Sequence, residues 1–126
     1  MARGEVFPIV NCADLARTRT WYENVLAGSL AYRFPEEGEP QYVTLRIGAG
    51  KVALGNGTAP ALYGETPLPA TGHRVDLCVY VPDLDVVVGA AGDAVVTPPA
   101  DMPWGERVAF LRDPEGTMLL VIQDED

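Results

Sequence analysis

The stretch Gln41-Tyr42-Val43-Thr44-Leu45-Arg46-Ile47-Gly48-Ala49-Gly50-Lys51-Val52-Ala53-Leu54 lays without gaps onto Arg107-Val108-Ala109-Phe110-Leu111-Arg112-Asp113-Pro114-Glu115-Gly116-Thr117-Met118-Leu119-Leu120. Leu45-Arg46 falls on Leu111-Arg112, and Gly50 falls on Gly116. Each copy reads as a strand, a glycine-bearing turn and a second strand. Upstream, Asp14-Leu15 matches Asp83-Leu84 in the same order. A repeat of roughly sixty residues is too long for a solenoid unit, yet long enough for one strand, one helix and a run of strands. The duplication therefore predicts a pseudo-twofold fold whose halves frame a cavity.

Working outward, the β-branched run at 6–10 predicts a strand, and Asn11 to Asp14 offer helix-capping chemistry. Leu15, Trp21, Tyr22, Val25 and Leu26 recur at helical spacing, and Gly28 supplies a stop. Segments 29–34, 41–47 and 51–56 read as strands, separated by turns at 35–38 and 48–50. Residues 57–72 hold three prolines and three glycines without a period and read as a linker. In 73–81, Val75, Leu77, Val79 and Val81 alternate with Arg74, Asp76, Cys78 and Tyr80, the period of a strand with two unlike faces. Pro82-Asp83 opens a second helix with the stripe Leu84, Val87, Val88 and Ala91, and Gly92 ends it. A short strand at 95–96 should stop before Thr97-Pro98-Pro99. Segments 106–112 and 117–123 form a hairpin about Asp113-Pro114-Glu115-Gly116. The expectation is one domain over 1–126, with a first module at 1–56 and a second at 73–126.

The length of 126 residues and the hydrophobic content of 48% suffice for one core. Nine basic against 18 acidic side chains give a formal charge of −9, which repels nucleic-acid phosphates and anionic membranes. No apolar run approaches the roughly 18 residues of a membrane span, and Met-Ala-Arg-Gly-Glu lacks a signal core. A soluble, cytoplasmic chain is expected, with neither nucleic acid nor membrane as partner. Cys12 and Cys78 lie in different halves without metal or disulfide spacing, and are expected as reduced, semi-buried thiols.

Strand-helix-strand-strand-strand, repeated twice, resembles the glyoxalase / bleomycin-resistance / extradiol-dioxygenase superfamily, the vicinal oxygen chelate fold. The carriers are the run from Asp14 to Leu26, Val81-Pro82-Asp83-Leu84, and Pro103-Trp104-Gly105 followed by Asp113-Pro114-Glu115-Gly116. The resemblance implies an α+β fold, in which tandem βαβββ repeats form a curved sheet cup with the helices on its outer face. Enzymatic members hold one divalent metal in the cup with His, Glu or Gln. Carried over, those positions fall on Phe7, Leu54, Asp76 and Leu120, of which only Asp76 has a donor. Catalytic zinc or iron generally needs about three protein ligands. The resemblance thus implies no metal and no cofactor, and the members of this kind resemble drug-binding resistance proteins, which sequester an antibiotic unchanged in a dimer cleft. His73, the only histidine, is out of phase with Asp76 and reads as a loop-edge residue. No phosphate loop, Ser-His-Asp set or Cys-His pair is present.

The family positions make Phe7, Leu54, Asp76 and Leu120 cup-facing, and strand alternation extends the surface. Tyr42, Thr44 and Arg46 then face the cup opposite a core row of Val43, Leu45 and Ile47. The repeat maps them onto Val108, Phe110 and Arg112, with Ala109 and Leu111 as core. Cys78 and Tyr80 join Asp76, while Met118 and Ile122 join Leu120. Trp104, between Pro103 and Gly105, suits stacking at a cleft rim. Tyr32, Phe34 and Tyr63 add aromatic surface, Met102 an adaptable wall, and Trp21 fills core. Asp76 on such a surface needs Arg46, Arg112 or a ligand amine or hydroxyl as partner. The expected function is that of a homodimer that sequesters an aromatic or amine-bearing natural product unmodified. The alternative is a metal-independent lyase, isomerase or biosynthetic enzyme of the same superfamily, using Asp76 as acid or base and Arg46 or Arg112 on an oxyanion.

Overall fold

Asp14 and Asp83 each open a helix, and in the same way. The carboxylate of Asp14 accepts a hydrogen bond from the Arg17 backbone N–H at 3.1 Å, and that of Asp83 accepts from Val86 at 3.2 Å. Each satisfies one of the orphan donors of a first helical turn. The computed structural model of the protein describes residues 4–56 and 75–125. Within them, β1 (Ile9–Asn11), α1 (Leu15–Leu26), β2 (Ser29–Phe34), β3 (Tyr42–Ile47) and β4 (Gly50–Gly55) are followed by β5 (Asp76–Val81), α2 (Leu84–Ala91), β6 (Val95–Asp101), β7 (Arg107–Arg112) and β8 (Met118–Gln123). The expected linker at 57–72 lies outside the described residues, as do Tyr63 and His73.

Both halves build a four-stranded sheet in one order, β1-β4-β3-β2 and β5-β8-β7-β6, with the first strand parallel to the last and the other pairs antiparallel. Among the described residues, the α+β arrangement of two curved sheets with two α-helices is the one expected. Three local features differ. The first strand starts at Ile9 rather than at residue 6, and Pro8 just before it, which has no N–H to give, only accepts a bond from Ala53 N. β6 runs to Asp101 straight through Pro98-Pro99, because it is an edge strand and its register shifts between Thr97 and Ala100. At the end of α1 the left-handed residue is Ala27, at φ 56°, while Gly28 is needed for closeness: a Cβ there would meet the Tyr22 carbonyl oxygen at 3.3 Å.

One core joins the halves. Leu15, Tyr22, Val25 and Leu26 of α1 and Leu84 and Val87 of α2 pack with Val43, Leu45, Val52 and Leu54 from the first sheet and Ala109, Leu111, Leu119 and Val121 from the second. The helices touch each other, so each sheet turns its apolar row towards them and its other row outward. Leu54 was expected on the outward, concave row, yet it is fully buried in the core opposite Val43. The turns explain the error. Ile47 pairs with Gly50 across only Gly48-Ala49, whereas Arg112 pairs with Met118 across five residues. The gap-free repeat therefore slips by one residue after the turn, and a one-residue slip exchanges the faces. Ala53, opposite Thr44, takes the place that Leu120, opposite Phe110, holds in the second half.

Two carboxylates on the β7–β8 turn tie this core together. Glu115 accepts the backbone N–H groups of Ala13 and Asp14, each at 2.9 Å, and the Thr18 hydroxyl at 3.1 Å. Asp113 accepts from the Tyr22 hydroxyl. Among the described residues no helix is long and apolar enough to cross a membrane.

Candidate ligand-binding site

On the concave row of the first sheet, Phe34 lies opposite Tyr42, Tyr32 opposite Thr44, and Arg46 opposite Lys51. Phe7, Tyr32, Tyr42, Thr44, Arg46 and Lys51 line a cavity of about 390 Å³, within the roughly 300–1,000 Å³ usual for small-molecule sites. Tyr32 and Tyr42 meet edge to face at 6.1 Å, and the Thr44 hydroxyl donates to the Tyr42 oxygen at 3.4 Å. Lys51 bonds Glu5 at 2.8 Å and stands 5.7 Å above the Phe7 ring. Ile9, Tyr32 and Phe34 are each more than half exposed, an unusual state for large apolar side chains on one sheet face.

The concave row of the second sheet carries Asp76 opposite Met118, Cys78 and Phe110 opposite Leu120, and Tyr80 opposite Ile122. Tyr80 and Trp104 are 57% and 62% exposed, and one carboxylate fixes both: Glu106 accepts the Tyr80 hydroxyl at 2.9 Å on one oxygen and the Trp104 indole N–H at 2.8 Å on the other. The hydrogen bond to Glu106, then its charge, pushes the Tyr80 hydroxyl above its usual range. The turn holding Trp104 is closed by Gly105 N–H to the Met102 carbonyl at 2.9 Å and Met102 N–H to Glu106 at 2.8 Å, with Gly105 at φ 100°. Glu106 was missed from sequence, although a carboxylate two residues after a rim tryptophan was a usable signal.

The expected site residues divide as follows. Phe7, Tyr32, Tyr42 and Arg46 come together on one sheet, with Phe34 beside them. Asp76, Phe110, Met118 and Leu120 share the face of the other, with Trp104 and Met102 in the loop beside it. Val108 is on that face but only 1% exposed, a floor and not a contact surface. Arg112 departs from the group: its guanidinium donates to the Gly116 carbonyl at 3.1 Å and lines a separate cavity with Arg17, Trp21 and Asp93. Trp21 packs against the core and edge-on to Tyr22 at 5.0 Å. Asp76 is exposed and lines a third cavity, of about 550 Å³, between the β5 strand and the 47–52 hairpin. The thiols are not alike: Cys12 is buried, and Cys78 is exposed.

A divalent metal does not fit these residues. Phe7, Ala53 or Leu54, and Leu120 carry no donor atom in their side chains, and among the described residues no group of three His, Cys, Asp or Glu side chains is placed to hold a metal ion.

The family model of the Glyoxalase/Bleomycin resistance protein/Dioxygenase superfamily matches residues 6–121. The chain belongs to this superfamily. Among solved members and likenesses, TioX from Micromonospora sp. ML1 is 26% identical with a TM-score of 0.74, over 96% of this chain and 98% of that one. A protein of unknown function from Agrobacterium tumefaciens str. C58 is 21% identical with a TM-score of 0.77, over 98% and 96%. A lactoylglutathione lyase from Agrobacterium tumefaciens is 18% identical with a TM-score of 0.66, over 98% and 96%. The last two show the fold alone. A search among curated proteins found no match.

Proposed function

We propose that the protein is a homodimeric binding protein of the cytoplasm, which sequesters an aromatic natural product unmodified in a cup lined by the concave sheet faces. The observation that carries this reading is the pair of outward faces, one bearing exposed Ile9, Tyr32 and Phe34 and the other exposed Tyr80 with Trp104 in the loop beside it. Such faces favour being covered, by a flat ligand and by a second chain. Members of the superfamily are often dimers that bind small molecules. The chemistry of the metal-equivalent positions supports binding over metal-assisted turnover, since three of the four carry apolar side chains and only Asp76 offers a donor.

Native mass spectrometry of the purified protein, before and after incubation with a mixed panel of polycyclic and amine-bearing antibiotics, tests the reading. A dimer that retains a compound of unchanged mass is expected. A compound of altered mass, or one of unchanged mass whose chromatographic retention differs from that of the compound added, would overturn it in favour of the lyase, isomerase or biosynthetic alternative.

A further inference from the structure

The first sheet places two cations directly opposite each other. Arg46 on β3 pairs with Lys51 on β4, both on the concave row. Like charges at facing positions on a sheet repel, and this chain has only nine basic side chains against 18 acidic ones from which to build such a pair. Lys51 is compensated by Glu5 at 2.8 Å and by the Phe7 ring. Arg46 is exposed, and among the described residues its guanidinium makes no hydrogen bond or ion pair. Around it stand the Tyr32 and Tyr42 rings and the Thr44 hydroxyl, in the cavity of about 390 Å³. A planar guanidinium with all its donors available recognises a carboxylate through two parallel hydrogen bonds, and the tyrosines beside it offer ring faces and edges.

Resting on the sequestration reading, we infer that the ligand's aromatic part is an aryl carboxylate, seated on the first sheet with its anion on Arg46 and its ring against Tyr32 and Tyr42. This reverses the charge preference that the overall −9 suggests: the bulk surface is acidic, but the cavity wall is basic. An amine-bearing group is disfavoured at this wall chiefly by Arg46, since Glu5 compensates Lys51.

The test uses three probes of one shape, 2-naphthoate, 2-naphthamide and 2-naphthylmethylammonium, titrated into the whole protein by calorimetry at low and physiological salt. Naphthoate is expected to bind about tenfold or more tighter than the amide, as a charge-assisted bidentate pair implies, and the ammonium weakest. Arg46→Gln should remove the advantage of naphthoate over the amide, Arg46→Lys should keep part of it, and Lys51→Gln should cost less than Arg46→Gln. Equal binding of naphthoate and amide, or unchanged naphthoate binding in Arg46→Gln, overturns the inference while leaving aromatic sequestration standing. Arg46→Gln weakening self-association but not naphthoate binding assigns the guanidinium to a subunit contact and also overturns it. If none of the three probes binds and no antibiotic is retained in the mass spectrum, the sequestration reading falls with it.

Discussion

The Tyr22 hydroxyl donates a 2.7 Å hydrogen bond to Oδ2 of Asp113, 91 residues further along the chain, and both side chains are buried. The other Asp113 oxygen accepts the Glu115 and Thr117 backbone N–H groups at 2.9 and 2.8 Å. One carboxylate thus shapes the β7–β8 turn and anchors the helix of the opposite half to it. Burial, and then the Asp113 charge, push the Tyr22 hydroxyl far above its usual range, so it stays a neutral donor. Tyr22→Phe keeps the ring in the core and removes only the donor. It should lower stability by about 1–3 kcal/mol, the usual cost of leaving one buried acceptor site short, read as a lower urea midpoint at unchanged slope. A loss below about 0.5 kcal/mol, the range of neutral surface changes, would mean that the bond does not hold the halves together.

Glu115 gives a pH-dependent version of the same clamp. Desolvation pushes its carboxyl upward, but the backbone N–H groups of Ala13 and Asp14, the Thr18 hydroxyl and Arg17 outweigh that and hold it below the usual 4.5. A carboxyl lowered in the folded state contributes stability above its unfolded value, and that contribution is lost as pH falls through the folded value. Glu115→Gln should therefore cost about 1 kcal/mol at pH 7, on the scale of a helix N-cap. Below pH 4.5 the gap to the unmodified protein should narrow and then close. Denaturant midpoints for both proteins from pH 7 to pH 3 measure this, and a gap that stays constant with pH would contradict it.

The two-half architecture was legible because each strand of the duplicated stretch carries an apolar row of period two, and because Asp14 and Asp83 cap their helices as capping chemistry requires. The faces were legible as far as each alternation ran unbroken. Val43 and Leu45, and Ala109 and Leu111, fell on the core side as expected. Past a turn the phase depends on how many residues the turn consumes, and the matching glycines Gly50 and Gly116 concealed a difference between a two-residue and a five-residue connection. Arg112 fails for a related reason: at the last position of its strand, a long side chain reaches back over the turn to Gly116 instead of standing on the sheet. The bond of Glu106 to Trp104 is local and could be read from the sequence, but its bond to Tyr80 needed the fold, since only the pairing of β5 with β8 brings Tyr80 near the turn that holds Trp104.

The corrected register makes opposite forecasts for two leucines that the repeat treats as equivalent. Leu54 is fully buried among core side chains, whereas Leu120 is half-buried on the concave face opposite Phe110 and Cys78. Leu54→Ala should cost about 2–5 kcal/mol, as buried leucine truncations do, and leave the intrinsic affinity for an aromatic ligand unchanged in the folded fraction. Leu120→Ala should cost less stability and weaken ligand binding. Thermal unfolding paired with calorimetric titration separates the two, and equal stability losses would restore Leu54 to the concave face.

The two cysteines report on burial and on the second concave face at once. Cys12 is 6% exposed, and desolvation, then the charge of Glu115, push its thiol up to about 11. At pH 8 its reactive thiolate is then on the order of one part in a thousand, inside a core that admits no reagent. Cys78 is exposed between Asp76 and Tyr80, with its thiol raised by desolvation and then by Glu106. Ellman's reagent at pH 8 should therefore titrate one thiol per folded chain, more slowly than free cysteine, and the second only on unfolding in guanidinium. Cys78→Ser should abolish the native-state reaction. Because Cys78 shares its strand face with Tyr80 and lies opposite Leu120, an aromatic ligand seated in the cup should slow its labelling without touching Cys12. Labelling of Cys78 at the same rate with the cup saturated would place the ligand away from the second sheet.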